Sequence, residues 1–353
     1  MAPVSLRKDF EDLDNRMLKS IPGIEELLLK TISLYKQDYC SAKYIYNLIP
    51  GQTIIQKVGD KKQKIILVED AEEFKKLWDN SVKCCEYARK KIMNVGKYDF
   101  GSIRVDFIPN TTIIPVIAAI QLTFEEKFKD TVSEGEFNEL LFRWYWNAVL
   151  SKDFSGSSDS VMSSDFRQLK AWLEGKDLPE RVKNVKYMRE TIKELALKKE
   201  RKGSSVYNAI ISILALNKAE DFLTGRIPGT VDYIEDRIND HHIFPSRVKE
   251  LKPGKSKKFS ETRDCIVNRT LLLNETNGEI SNKKPSEYLQ LIMEKRNING
   301  KDLYKIMESH LISRKALQHM WEDNYDEFII ERENTIKKCL LNIIKNGVHA
   351  IKI

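Results

Sequence analysis

Apolar residues recur every three or four positions, with charges between them, along residues 24–37 (IEELLLKTISLYKQ), 70–93, 134–151, 165–175 (DFRQLKAWLEG) and 183–200. A period near 3.6 gathers those side chains on one face, so each stretch predicts an amphipathic helix turned toward a core. The same spacing returns from about residue 301 to residue 347. Residues 98–122 (YDFGSIRVDFIPNTTIIPVIAAIQL) are different: β-branched and interrupted by Pro109 and Pro115, they predict a short strand ahead of a buried helix. Residues 151–166 (SKDFSGSSDSVMSSDF) have the Ser, Gly and Asp content of an exposed loop closing a first helical block, and a second break follows at 199–205. Beyond it, residues 205–225 predict a helix that stops at Gly225. No internal repeat is present, which argues against a solenoid.

The pattern changes at residues 238–296. Residues 265–273 (CIVNRTLLL) have the content of a strand, and 285–295 (PSEYLQLIMEK) that of a helix with Pro285 in its first turn. Upstream stands NDHHIFPSRVKE, residues 239–250, which holds two of the five histidines side by side. Strand alternation sends neighbours to opposite faces, so the two rings cannot share one task in a regular strand; at the irregular start of a hairpin they can diverge, one onto a cation and one toward a water. Phosphodiester hydrolysis needs that division: a cation to polarise the phosphate and an imidazole, neutral near pH 7, to take a proton from water. Asn274, Asn277 and Asn282 lie between the predicted strand and helix, and a carboxamide oxygen is a hard ligand suited to Mg²⁺.

Composition narrows the setting. At 353 residues the chain is long enough for two domains or for one with a long helical extension. Its five cysteines form no C-x-x-C pair, so neither a zinc ribbon nor a disulfide framework is suggested, and a reducing cytosol fits. The longest apolar run, around residues 113–122, is well short of the roughly 20 residues that cross a bilayer, so no membrane partner is expected. The net charge of +7 permits a polyanionic partner without requiring one. Basic residues concentrate at 181–190 and 195–203, where a solvated helical face is the ordinary explanation, and again at 247–263 directly after the histidine pair, where nucleic-acid contact is the preferred reading.

The order DHHIFP, NRTLLL, ETNGEISNKKPSEYL resembles the HNH (ββα-metal) nucleases, in particular the C-terminal HNH portion of GmrSD-type modification-dependent restriction endonucleases and related phage-defence nucleases. The likeness extends to LLFRWYWNAVLSKDFSGSSDSVMSSDFRQL and to DNYDEFIIERENTIKKCLLNI, so it runs from about residue 90 onward and is most specific over residues 221–290. It implies a mainly α fold: a helical linker and sensor region over residues 1–200, then a ββα-metal core embedded in helices over residues 201–353. It implies a metal-dependent endonuclease that cuts DNA, duplex in the first instance, leaving 5′-phosphate and 3′-hydroxyl ends, in a bacterial or archaeal cytoplasm.

Carried onto this sequence, the resemblance makes His242 the catalytic base and His241 the first metal ligand. It gives Asn268 the role of tying the hairpin together so that the base keeps its orientation. Asn277 is the second metal ligand, and Lys283, Arg269 and Arg247 are the contacts to nucleic acid. The cofactor implied is Mg²⁺, with Mn²⁺ or another divalent ion as substitute. Asp240 competes with His241 as ligand, and Asn274 and Asn282 compete with Asn277, because asparagine also caps helices. His310, His319 and His349 read as structural, and Trp144, Tyr145 and Trp146 as core.

Full-length members carry a nucleotide-handling domain with a D-G-Q-Q-R motif, and neither that motif nor a G-x-x-x-x-G-K-[ST] loop occurs here. A C-terminal fragment, or a nucleotide-binding domain supplied by a separate subunit, is the expectation. Two other classes stay open: a non-catalytic nucleic-acid-binding or adaptor module, and an HNH nuclease acting on RNA.

Overall fold

A computed structural model describes residues 11, 16–58, 61–156, 158–228, 238–245 and 257–350. The fold is mainly α, 66% helical and 6% strand. The longer helices are α1 (Ile24–Gln37), α2 (Ala71–Met93), α3 (Ile114–Lys127), α4 (Glu134–Ser151), α5 (Asp159–Leu173), α6 (Val185–Glu194) and α7 (Ser205–Leu216), followed by α8 (Asn274–Ile280), α9 (Pro285–Arg296), α10 (Gly300–Ser309), α11 (Arg314–Trp321) and α12 (Tyr325–Asn346). Among the described residues two antiparallel pairs of strands complete it: β1 (Thr53–Val58) with β2 (Lys61–Ile66), and β3 (Ile238–His242) with β4 (Arg269–Leu273). No described helix is long and apolar enough to cross a membrane.

The chain divides into two compact units. One comprises Met1–Lys91, Asn110–Trp144 and Asp153–Lys183; the other Ile92–Pro109, Tyr145–Lys152 and Asn184–Ile353. In the first, α3 is buried without interruption from Ile114 to Phe124, as a helix apolar on all sides must be, and packs against α1 and α5. Charges that enter this core are paired: Lys30 with Asp159 at 2.8 Å, and Asp165 with the Trp144 indole at 3.0 Å and with Arg181.

The second unit is built on α7, buried along its whole length and packed on β4, and on α12. Arg332 of α12 is fully buried and donates to the carbonyls of Val267 at 2.7 Å and His310 at 3.1 Å, which binds the base of the β3–β4 pair to the last helix. Burial holds its guanidinium down at about 9. The aromatic run of α4 is interior as expected, with Trp144, Tyr145 and Trp146 at most 1% exposed.

Three expectations are corrected. The strand expected within residues 98–113 is a pair of 3₁₀ turns, Val105–Phe107 and Thr111–Ile113. The backbone there bonds locally, Phe107 N to Arg104 O and Ile108 N to Val105 O, and Pro109 has no N–H to offer a ladder. The serine-rich stretch is a loop only in its first half, because α5 begins at Asp159; Met162 and Phe166 supply its buried face, and the Ser163 hydroxyl bonds back to Asp159 O. The helix from Ser205 ends at Leu216, not Gly225. Lys218 turns into the left-handed region at φ 54°, and the Asp221 carboxylate then gathers the N–H groups of Leu223 and Thr224 into a turn.

Candidate functional site

The pair β3–β4 runs in unbroken register: Ile238 opposite Leu273, Asn239 opposite Leu272, Asp240 opposite Leu271, His241 opposite Thr270 and His242 opposite Arg269. The helix α8 follows β4 without a loop and packs on both strands. Its short polar sequence, NETNGEI, shows little apolar period. It is pinned instead by Thr276, whose hydroxyl donates to the buried carboxylate of Asp221, the same group that accepts Leu273 N at 2.9 Å. The helix expected to return a ligand, residues 285–295, is present as α9, but Asn277 lies on α8.

Register and pleat decide where each side chain points. Asn239 and His241 share one face, and on that face they meet α8: Asn239 contacts Asn274, and His241 Nδ1 contacts Asn277 Oδ1. Residues three apart on α8 thus answer residues two apart on β3. Asp240 and His242 take the other face. Asp240, the competing ligand, accepts from the Tyr207 hydroxyl at 2.6 Å and pairs with Lys202 at 3.5 Å. The irregularity expected to separate the two histidines is absent; ordinary pleating through an intact ladder separates them.

His241 is 5% exposed, and burial first of all pushes its pKa down to about 4, with the Asn277 contact acting in the opposite sense. It is a neutral imidazole at pH 7. Its Nε2 is buried with no hydrogen-bond partner among the described residues. Of this uncharged pair from two separate elements, the carboxamide oxygen is the hard donor suited to a cation such as Mg²⁺; the imidazole is a softer donor, its Nδ1 carrying the ring proton toward Asn277 Oδ1 and its lone pair standing on Nε2. Among the described residues no group of three or more His, Cys, Asp or Glu side chains is placed to hold a metal.

On the opposite face His242 Nε2 lies 2.8 Å from Asp264 Oδ1. Burial lowers the His242 pKa most, Arg269 adds to that, and Asp264 opposes both; the net direction is down, so the ring is neutral near pH 7. A neutral ring meeting a carboxylate through Nε2 must carry its proton there, which leaves Nδ1 with a free lone pair. Burial alone would raise the Asp264 carboxyl, but His242, Arg269 and Arg263 outweigh it and hold the acid ionised.

Asn268 ends the 3₁₀ turn Ile266–Asn268 that leads into β4. It is fully buried; its Oδ1 accepts Phe244 N at 2.9 Å, and its Nδ2 donates to Phe244 O at 3.0 Å and Arg263 O at 2.9 Å. With Ile243 N bonded to Asn268 O, and the Tyr288 hydroxyl to Ile243 O, the segment after His242 is laced to the segment before β4.

The expected nucleic-acid contacts fare differently. Arg269 donates to Asp240 O at 2.9 Å and to Asp264 at 3.0 Å, so its guanidinium ties the hairpin and braces the His242 partner. Lys283 is exposed and donates to Glu279 O. Arg247 lies outside the described residues. His310 is buried between the Thr270 hydroxyl and Glu220 O, and His319 bonds Glu322, the residue that caps its own helix. Asp264 and Tyr207 stand in the site without having been expected there from the sequence. Asp264 stands four residues before Asn268, directly after the basic run of residues 247–263, and no pattern in the sequence singles it out.

No family model matches the chain. The chain is similar to an uncharacterized protein of Methanocaldococcus jannaschii, 26% identical over 333 residues that cover 89% of this chain and 54% of that protein. It therefore spans about half the length of the curated relative it matches.

Proposed function

We propose that the chain is a metal-dependent endonuclease of the HNH type that hydrolyses phosphodiester bonds of duplex DNA, in the restriction of modified or phage DNA within a bacterial or archaeal cytoplasm. The observation that carries the reading is the contact between His241 on β3 and Asn277 on the helix that directly follows β4, 36 residues apart in sequence, beside a turn laced by a buried Asn268. A strand pair and a helix, with an imidazole, a buried carboxamide and a second carboxamide at the matching places, is the arrangement the sequence resemblance implies.

In this reading His241 and Asn277 Oδ1 would hold Mg²⁺, or Mn²⁺ in its place, with the ring proton, which faces Asn277 Oδ1 at Nδ1, moved to the unpartnered Nε2 so that Nδ1 offers a lone pair. A divalent ion bound there supplies charge stabilisation for the phosphate and the leaving oxygen. His242 accepts the proton of the attacking water at Nδ1, while Asp264 takes the Nε2 proton in a hydrogen bond and fixes the tautomer. His242 ends β3, and its side chain is 21% exposed, so solvent reaches the ring. Asn268 sets the path of the backbone that leaves His242.

A second reading, a nucleic-acid-binding module without chemistry, is favoured by one observation: the intact ladder turns His242 to the face opposite Asn277. Plasmid nicking separates the two. The nuclease reading expects conversion of supercoiled plasmid in Mg²⁺ or Mn²⁺, none in chelator, and a drop of about 10² to 10⁴ in rate for His242→Ala. Parallel RNA and single-stranded DNA substrates identify the preferred polymer.

A further inference from the structure

The ribbon β1–β2 belongs to the first compact unit and plays no part in the site described above. Its register pairs Thr53 with Ile66, Ile55 with Lys64 and Gln56 with Gln63, and among the described residues it joins no third strand. Alternation along each strand then sets Thr53, Ile55, Lys62, Lys64 and Ile66 on one face, and all five are exposed. Ile55 is 68% exposed and Ile66 48%, and the stretch leading into β1 adds Tyr46 at 69% and Ile49 at 50%. Nowhere else do the described residues expose large apolar side chains so densely.

The charge is one-sided. Residues 53–66 contain four lysines against one aspartate, and neither Lys62 nor Lys64 pairs with a carboxylate among the described residues. Two unpaired ammonium groups on the face that also exposes Ile55 and Ile66 suit a partner that is anionic and apolar by turns. A second copy of the ribbon would bring more lysines to the same edge, so self-association is disfavoured.

We propose that this ribbon is a contact surface for duplex nucleic acid. A two-stranded antiparallel ribbon fits the roughly 12 Å wide major groove of B-DNA. Lys62 and Lys64 then lie against phosphates, and Thr53 and Ile55 face the groove, where a hydroxyl and a branched apolar side chain are suited to base edges and thymine methyls. The choice of partner is shared with the nuclease reading, but the contact requires neither a divalent ion nor His242.

The test is the full chain binding a fluorescein-labelled 20-base-pair duplex in chelator, followed by anisotropy from 50 to 300 mM KCl. Lys62→Ala/Lys64→Ala is expected to weaken binding and to flatten the dependence of log affinity on log salt by about 1.8, at about 0.9 for each phosphate no longer neutralised. Lys62→Arg/Lys64→Arg is expected to restore the slope. A wild-type chain that does not hold the duplex, or an alanine variant with the wild-type affinity and slope, overturns the proposal. In the latter case the lysines are guards against edge pairing, and light scattering registers the variant's association. Because no cleavage is read, an inactive nuclease site leaves this result intact.

Discussion

Replacing Asn268 with alanine removes three hydrogen bonds of 2.9 to 3.0 Å at a point without solvent. Each is worth about 1 kcal/mol net, and stranding a buried donor or acceptor costs a further 1 to 3 kcal/mol. Phe244 is itself fully buried, so its N–H and carbonyl have no water to turn to. The expected loss is about 3 to 5 kcal/mol, a large share of the roughly 5 to 15 kcal/mol that holds a domain folded. Asn268→Asp sharpens the test. It keeps the acceptor for Phe244 N but sets a second oxygen against two carbonyls, so it should destabilise at least as much as alanine despite its nearly identical shape. Urea unfolding gives the magnitude, and amide exchange at Ile243 and Phe244 gives the location. A loss below about 1 kcal/mol with protection at Phe244 unchanged, or an aspartate variant as stable as wild type, refutes the assignment of Asn268 as the tie of the hairpin.

Two further outcomes follow from the buried and paired histidines. His310 is neutral inside the fold, its pKa pushed down to about 4 by burial, against about 6.5 in the unfolded chain. The unfolded state therefore takes up the proton first, and His310 should account for about 3 kcal/mol of the stability lost as pH drops from about 6.5 to about 4, beside a similar share from the equally depressed His241, with little change above that window; His310→Gln should remove its share of that dependence, and an unchanged pH profile of unfolding contradicts it. Asp264 favours the protonated form of His242, so Asp264→Asn should lower the His242 pKa further and release the ring from one tautomer. Imidazole titration by NMR checks this, and a His242 pKa equal to that of wild type excludes Asp264 as its positioning partner.

The parts legible in the sequence are those whose physics is periodic or compositional. Apolar spacing marks α1, α2, α4, α6 and α12, and the continuous apolar run marks α3 as interior. Aliphatic content marks β4, and the pair of histidines marks β3. The β1–β2 ribbon escapes because its isoleucines come in doublets, Ile54-Ile55 and Ile65-Ile66, instead of alternating with polar residues. The helix that carries Asn277 escapes because hydrogen bonds to Asp221, more than fifty residues away, hold it in place. Separation in sequence also hides Asp264 from His242: their hydrogen bond spans 22 residues, and no local pattern announces it.

The most direct test of the central claim is plasmid cleavage by the purified full chain in Mg²⁺, Mn²⁺ and chelator, with His242→Ala and Asn277→Ala beside it. Wild type should convert supercoiled plasmid in a metal-dependent way, His242→Ala should lose cutting at any metal concentration, and Asn277→Ala should recover partly as metal is raised. Undiminished cutting by His242→Ala, or no cutting by the wild-type chain in either metal on any DNA or RNA substrate, contradicts that claim.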